Sequence, residues 1–361
     1  MRPPTLPPTV SARPHRRTRR RLALGLAAAV TLAGGLAATA QASPAAPTKS
    51  GGAQQNAQQH VQQNAAPSGL NGPYLYLGWG EPPNATEFLQ ETGNTQLTMA
   101  FILSDGGCNP AWDGQRPLEG SQDAETIAAV QQAGGDITPS VGGWSGNKLG
   151  EACQSAEDLA GAYQKVIDAY GLKSLDVDIE STEFETEEVR QRVIDALKIV
   201  KDDNDGIKVY LTFGTTPTGP NDNGKDLVAK GAEAGLDVDG WTLMPFDYGD
   251  GTTDMVAATK GAVDGLKDTV AEAYGLSDDE AYAKVGFSSM NGHTDVEGEV
   301  ISPDDFQQMV DYAKEHKLAR VSFWAVNRDR ACQDGQEPGS SCSGIDQETY
   351  AFSKILAGYQ G

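Results

Sequence analysis

The sequence predicts an α/β protein folded as one closed (β/α)8 TIM barrel, a single domain, and three observations carry that expectation. Short apolar runs alternate with amphipathic stretches of helical period from residue 71 to residue 361, and such alternation builds a parallel sheet. Eight strand–helix pairs can be counted in these roughly 290 residues, a length that suits a closed barrel. No Gly-rich dinucleotide turn follows the first strand, which argues against the alternative, a doubly wound open sheet.

The elements follow in order. Tyr74–Trp79 is a short aromatic and apolar strand, and Pro82-Pro83-Asn84 introduces a helix over Ala85–Thr92. Leu97–Leu103 is the second strand, with Asp123–Ala133 as its helix. Asp136–Val141 is the third, followed by the amphipathic Ala156–Tyr170. Ser174–Glu180 is the fourth, followed by a long helix over Glu185–Lys201. Ile207–Phe213 alternates and is partly β-branched, and Gly224–Ala234 is helical. Gly240–Phe246 and Met255–Tyr274 form the sixth pair, and Lys284–Met290 and Ser302–His316 the seventh, with a Ser N-cap. Arg320–Val326 is the last strand and Gln347–Leu356 the last helix.

The first 70 residues read as something other than fold. Residues 1–21 hold seven arginines and no acid, residues 22–39 are apolar and rich in small side chains, and Ala40-Gln41-Ala42 offers a small-x-small cleavage site. Residues 1–42 are therefore expected to be a signal peptide rather than a membrane anchor, and the protein to be secreted and extracellular. Thr18-Arg19-Arg20-Arg21-Leu22 also resembles a twin-arginine signal. Residues 43–70 are Ala, Gln, Asn, Pro, Ser and Gly with almost no large apolar side chain, the composition of a flexible leader.

Charge and cysteines narrow the function classes. The full chain carries 28 basic and 50 acidic residues, a net charge of −22, and removing the seven leading arginines takes it to −29 (21 − 50). So acidic a surface disfavours nucleic acid and anionic membranes and suits a neutral substrate or simple solubility. An even number of cysteines in an exported chain implies disulfides, and the expected pairs are Cys332–Cys342, within a short Gly/Ser-rich loop, and Cys108–Cys153, between neighbouring loops. No close Cys/His pairing has ligand spacing, so no metal site is expected. His15, His60, His293 and His316 form no triad.

The most informative stretch is Lys173-Ser174-Leu175-Asp176-Val177-Asp178-Ile179-Glu180. On a strand, Asp176, Asp178 and Glu180 share one face while Leu175, Val177 and Ile179 share the other. In a parallel barrel neither face meets solvent, so three acids there must be paired, protonated or functional. At least one should hold its proton tightly, and a protonated carboxyl beside an ionised one suits acid catalysis at a glycosidic bond. Glu180 ends the fourth strand, Asp247 the sixth, and Trp324 lies near the end of the eighth, so all three should converge on the barrel mouth. Trp79, Trp144, Trp241 and Trp324 fall in or just after strands; each is either a platform for a sugar ring or ordinary core. Met244-Pro245-Phe246-Asp247-Tyr248 adds an acid and a phenol that could bond a polar substrate, although Asp247 could instead cap the following helix. The Ser140-Val141-Gly142-Gly143-Trp144 corner is expected to leave room for ligand beside the acids.

At this point the chain resembles glycoside hydrolase family 18, the chitinases. The family's D-G-x-D-x-D-x-E signature matches at Asp176, Asp178 and Glu180, its S-x-G-G corner at Ser140 to Gly143, its M-x-Y-D segment at Met244 to Asp247, and its eighth-strand tryptophan at Trp324. The resemblance spans residues 74–326. Two positions depart: Lys173 and Ser174 replace the family's leading Asp-Gly, the Asp being expected deeper in the barrel than the chemistry, and Phe246 replaces a tyrosine that contacts the substrate's acetamido group. The resemblance implies hydrolysis of β-1,4-N-acetylglucosamine links with retention and with no metal or cofactor. Glu180 would be acid and then base, the substrate's acetamido oxygen the nucleophile, Asp178 the orienting group, and Asp176 a partner sharing a proton with Asp178. Trp324, Asp247, Tyr248, Met244, Trp79 and Trp144 are the candidate substrate contacts. A monomeric secreted chitinase acting on chitin or N-acetylglucosamine oligosaccharides is expected; an endo-β-N-acetylglucosaminidase acting on N-glycans and a non-catalytic chitin-binding barrel are the alternatives.

Overall fold

The computed structural model describes residues 70–359; the expected signal segment and almost all of the expected leader lie outside the described residues. Leu70, which composition groups with the leader, is buried and donates its backbone N–H to the Tyr210 hydroxyl at 3.0 Å, so the fold includes it.

Eight parallel strands follow one another in chain order: β1 (Tyr74–Tyr76), β2 (Gln96–Ser104), β3 (Asp136–Gly142), β4 (Ser174–Asp178), β5 (Lys208–Gly214), β6 (Gly240–Met244), β7 (Val285–Met290) and β8 (Arg320–Trp324). Backbone ladders join each strand to the next from β1 to β8. The last seam, between β8 and β1, is stitched by side chains. Asn71 Oδ1 accepts the Val321 N–H at 3.1 Å, and the Ser322 hydroxyl donates to the Gly72 carbonyl at 2.8 Å. Asn327 accepts the Tyr76 N–H at 3.1 Å and donates to the Tyr76 carbonyl at 2.8 Å. The sheet is thus an almost closed (β/α)8 barrel, as the alternation predicts.

The helices begin where polar caps allow. Asn84, Ser121, Ser155, Asn221, Asp254 and Ser302 each accept a first-turn backbone N–H that has no helical partner. The single helix expected over Glu185–Lys201 is instead two, Ser181–Glu185 and Glu187–Asp203, broken at Thr186, whose backbone is extended. Several strands stop short of their expected ends: β1 at Tyr76, β4 at Asp178, β6 at Met244 and β8 at Trp324, after which the chain turns into mouth loops. A short strand, Pro110–Trp112, adds antiparallel to β2. Gly292–His293 pairs with Val300–Ile301 beyond β7.

The two faces of the strands differ. Leu175, Val177 and Ile179 of the acid segment are fully buried, on the face that meets the helices. The inward side is unusually polar for a barrel, where branched aliphatics normally dominate. Thr98, Thr138, Ser140, Ser174, Thr212 and Arg320 are buried there and bond to one another or to Asp176. Both expected disulfides form. Cys108–Cys153 ties the loop after β2 to the end of the short helix Leu149–Ala152, and Cys332–Cys342 closes a loop after β8.

Candidate active site

Asp176 and Asp178 lie inward on β4, buried, and Glu180 follows at the mouth with an extended backbone (φ −135°, ψ 171°) that keeps it in the same alternation. Asp176 is held by four donors. Its Oδ2 accepts from the Tyr74 hydroxyl at 2.9 Å and the Ser140 hydroxyl at 2.6 Å; its Oδ1 accepts from the Thr212 hydroxyl at 2.8 Å and from the Arg320 guanidinium. Asp178 Oδ1 is buried without a hydrogen-bond partner.

Burial raises the Asp178 carboxyl well above the usual carboxylate range, and the neighbouring Glu180 and Asp176 charges push it the same way against Lys148 and Arg320. Glu180 rises to about 7, chiefly by burial, with Lys148 opposing and Asp247 adding to the shift. Two carboxyls on one face are therefore biased towards the protonated form near neutral pH. Lys148 was not legible as a site residue. It follows β3, is buried, donates to the carbonyls of Gly143 and Ser145, and interacts electrostatically with Glu183, Glu180 and Asp178; burial lowers its own pKa. Glu183, in the short helix after Glu180, is a fourth buried acid: burial lifts it to about 7, and one oxygen accepts the Gly150 N–H at 3.0 Å while Oε2 has no partner.

The glycine corner after β3 has a different use from the one expected. A Cβ on Gly142 would lie 2.1 Å from the Asp178 carbonyl oxygen, and one on Gly143 2.8 Å from the Phe101 ring. The space that these glycines leave is filled by the acid strand's backbone and by Phe101, not kept open for ligand. The Gly143 N–H donates to the Asp178 carbonyl at 2.8 Å, so the corner braces the acid strand directly.

The end of β6 brings Asp247 within electrostatic reach of Glu180. Asp247 does not cap a helix; Asp254 caps Met255–Tyr274. Asp247 adopts a left-handed backbone (φ 55°), and its Oδ1 accepts the Asp295 N–H at 2.9 Å. Glu299, buried and also missed in the sequence, organises this loop: its carboxylate accepts the N–H groups of Asp247, Tyr248 and Gly249 at 2.7, 2.8 and 3.2 Å. Met244 is half-buried at the inward end of β6. Phe246 and Tyr248 pack against the apolar core, and the Tyr248 hydroxyl is buried with no partner.

An aromatic wall runs up from Asp176. Tyr74, which bonds Asp176, meets the Trp324 ring edge-on at 5.8 Å, and Phe101 stacks on Trp324 at 5.5 Å and 15°. Trp79 joins at the rim, 6.2 Å from Trp324 and 4.6 Å from Tyr76, with 46% of its surface exposed. Trp144 is 71% exposed and makes no ring contact with this wall among the described residues. Trp241 is core. Non-proline cis peptide bonds lie at Ala100–Phe101 and Trp324–Ala325. Lys173 does not sit deep in the barrel, as its alignment with the family's first acid suggested. It lies one residue before β4, its side chain is 82% exposed, and it pairs with Asp136 at 3.7 Å. Odd-numbered positions of this strand point outwards, so a change there leaves the interior untouched. Among the described residues no group of three or more His, Cys, Asp or Glu is arranged to hold a metal ion.

No protein-family model matches the chain. Among curated proteins it is similar to a probable bifunctional chitinase/lysozyme of Escherichia coli K12, 28% identical over 313 residues covering 81% of this chain and 35% of that protein. It is also similar to endochitinase 11 of Metarhizium anisopliae, 28% identical over 282 residues, 73% of this chain and 53% of that one. The chain thus spans about a third and about half of the lengths of these relatives. Among solved structures, the catalytic domain of a hyperthermophilic chitinase from Pyrococcus furiosus superposes with a TM-score of 0.73 at 28% identity, covering 82% of this chain and 98% of that domain. Catalytic-site mutants of the Pyrococcus furiosus enzyme have been solved with chito-oligosaccharides. The chain thus shares its barrel with a chitinase catalytic domain over four-fifths of its length, and it sets at the mouth of that barrel the D-x-D-x-E segment by which it resembles glycoside hydrolase family 18.

Proposed function

We propose that the protein is a chitinase that hydrolyses β-1,4 links between N-acetylglucosamine units by substrate-assisted, retaining catalysis, as a secreted monomer. The observation that carries the reading is the Glu180 carboxyl, raised to about 7 at the barrel mouth, on the same face as an Asp178 biased towards its acid form. A general acid works best with a pKa near the working pH. Glu180 donates its proton to the glycosidic oxygen. The substrate's acetamido oxygen attacks the anomeric carbon, and an oxygen of Asp178 accepts the acetamido N–H and so orients the nucleophile. Glu180, now ionised, deprotonates the water that opens the intermediate. The Trp324–Phe101 stack and Trp79 supply apolar faces for pyranose rings. The family's acetamido-contacting phenol is absent at Phe246, and the enclosed Tyr248 hydroxyl offers no ready substitute; Asp247 is the remaining polar group at that edge. Export is supported by the N-terminal pattern and by two disulfides, which persist in oxidising compartments.

The test is product analysis by mass spectrometry from defined N-acetylglucosamine oligomers, for wild type and Glu180→Gln. Shortened oligomers are expected from wild type, with loss of about 10²-fold or more in the variant. Undiminished activity in the variant removes Glu180 from its role. Release of glycan from a high-mannose glycoprotein, with chitin oligomers left intact, transfers the reading to an endo-β-N-acetylglucosaminidase.

A further inference from the structure

Below the mouth lies an ion pair that the proposed reaction does not use. Arg320, on β8, and Asp176, on β4, are both fully buried and bonded to each other. The guanidinium lies between two aromatic rings, 5.6 Å from the Tyr74 centroid and 5.5 Å from that of Tyr210. It also donates to the Thr212 hydroxyl at 2.8 Å. Two inward glycines make room for it: a Cβ on Gly286 would meet the Arg320 backbone at 2.2 Å, and one on Gly240 the Tyr210 ring at 2.8 Å. Five other strands therefore converge on keeping one cation in the barrel floor.

The consequence falls on Asp176. A carboxylate has about four lone-pair sites, and the four donors Arg320, Thr212, Tyr74 and Ser140 occupy two on each oxygen. The hydroxyls could turn round, but the guanidinium has no acceptor to offer. Protonating Asp176 would leave Arg320 as a buried cation without its anion, which is strongly unfavourable. The charged and titratable groups facing the two aspartates are Arg320, Tyr74, Tyr210, Lys148 and Glu180. Of these only Arg320 is ion-paired to Asp176, whereas Asp178 has an oxygen without any partner.

We propose that Arg320 is a positioning residue for the acid strand: it holds Asp176 as a fixed anion, so that the exchangeable proton of the aspartate pair stays on Asp178, on the Glu180 side. This rests on the reading of Asp178 and Glu180 as the working carboxyls, and it replaces the proton sharing by Asp176 that the family resemblance implies.

Two measurements test it. Neutron diffraction from deuterium-exchanged wild-type crystals needs no substrate. It should show a deuteron on Asp178 and none on Asp176; a deuteron on Asp176 overturns the proposal. The second is a kinetic cycle on N-acetylglucosamine oligomers. Arg320→Met should lower kcat by about 10-fold or more with KM little changed, Arg320→Lys should recover most of that loss, and in an Asp176→Asn background Arg320→Met should cost less than ~3-fold. Equal losses in both backgrounds would mean a merely structural role. Should Arg320→Met fail to fold, the Lys variant and the neutron result still decide. Wild type without chitin hydrolysis sinks the functional reading while leaving the neutron outcome to stand or fall alone.

Discussion

Replacing Glu183 by Gln should change how stability depends on pH. Glu183 is buried behind the acid strand, and burial lifts its carboxyl from the ordinary 4.5 to about 7, with Lys148 and the Gly150 N–H holding it lower than burial alone would. A carboxyl whose pKa is raised in the folded state favours folding while both states are protonated. That contribution is complete below about 4.5 and is lost as pH rises through about 7. The rise from 4.5 to about 7, at ~1.4 kcal/mol for each pH unit, comes to about 3.5 kcal/mol of stability surrendered between acid and mildly alkaline solution. Glutamine keeps a carbonyl oxygen for the Gly150 N–H and has no charge to desolvate. Urea unfolding of wild type and variant across this range provides the assay. Asp178 and Glu180 are also raised, but they are common to both proteins and largely cancel in the difference. The variant should gain about 3.5 kcal/mol relative to wild type on going from below 4.5 to above 7. A difference that stays flat across this range would refute the assignment of Glu183 as a desolvated carboxyl.

Lys148→Met removes the cation that opposes the rise of Glu180, so the alkaline limb of kcat/KM should move to higher pH by on the order of one unit; a shift downwards contradicts the electrostatic map. Gly142→Ala sets a Cβ 2.1 Å from the Asp178 carbonyl oxygen at a backbone φ of 113°, and should cost on the order of 3 kcal/mol or more, read as a lowered melting temperature. Losing the Cys332–Cys342 bridge, in the double Cys→Ala protein, should cost about 3 kcal/mol for a loop of this size. Because Gly80 abuts the Ser340 carbonyl, and Arg330 of the same segment donates to the carbonyls of Gly80 and Glu81, KM for long oligomers should rise through the neighbouring Trp79 while kcat changes less.

Much of this architecture was legible beforehand, and the particular residues show why. Three helices, Ala85–Thr92, Ala156–Tyr170 and Met255–Tyr274, have the limits that their periodicity and caps predict, because these are local properties of neighbouring residues. The inward set Asp176, Asp178 and Glu180 follows from a period of two, which any strand imposes. Both cysteine pairs follow from loop proximity. What could not be read was which distant residues meet these elements. Lys148, Glu183 and Glu299 sit in loops or a short helix, with no periodicity or motif to mark them, and only the folded chain brings Lys148 near Glu180 or sets Glu299 beneath the Asp247–Gly249 backbone. The alignment of Lys173 with a family acid misled for a related reason: an aligned position says nothing of whether a side chain points into the barrel or out to solvent.

The sequence by itself determined the barrel, the strand that bears the acids and the end of the barrel where they lie, since each depends on alternation and periodicity along the chain. The tertiary structure alone decided the surroundings and partners of those acids. Protonation depends on burial and on partners brought from elsewhere in the chain: Arg320 from 144 residues away to pair with Asp176, and Lys148 from another loop to oppose Glu180. Coulomb and desolvation energies follow distance in space, and no local pattern records that distance.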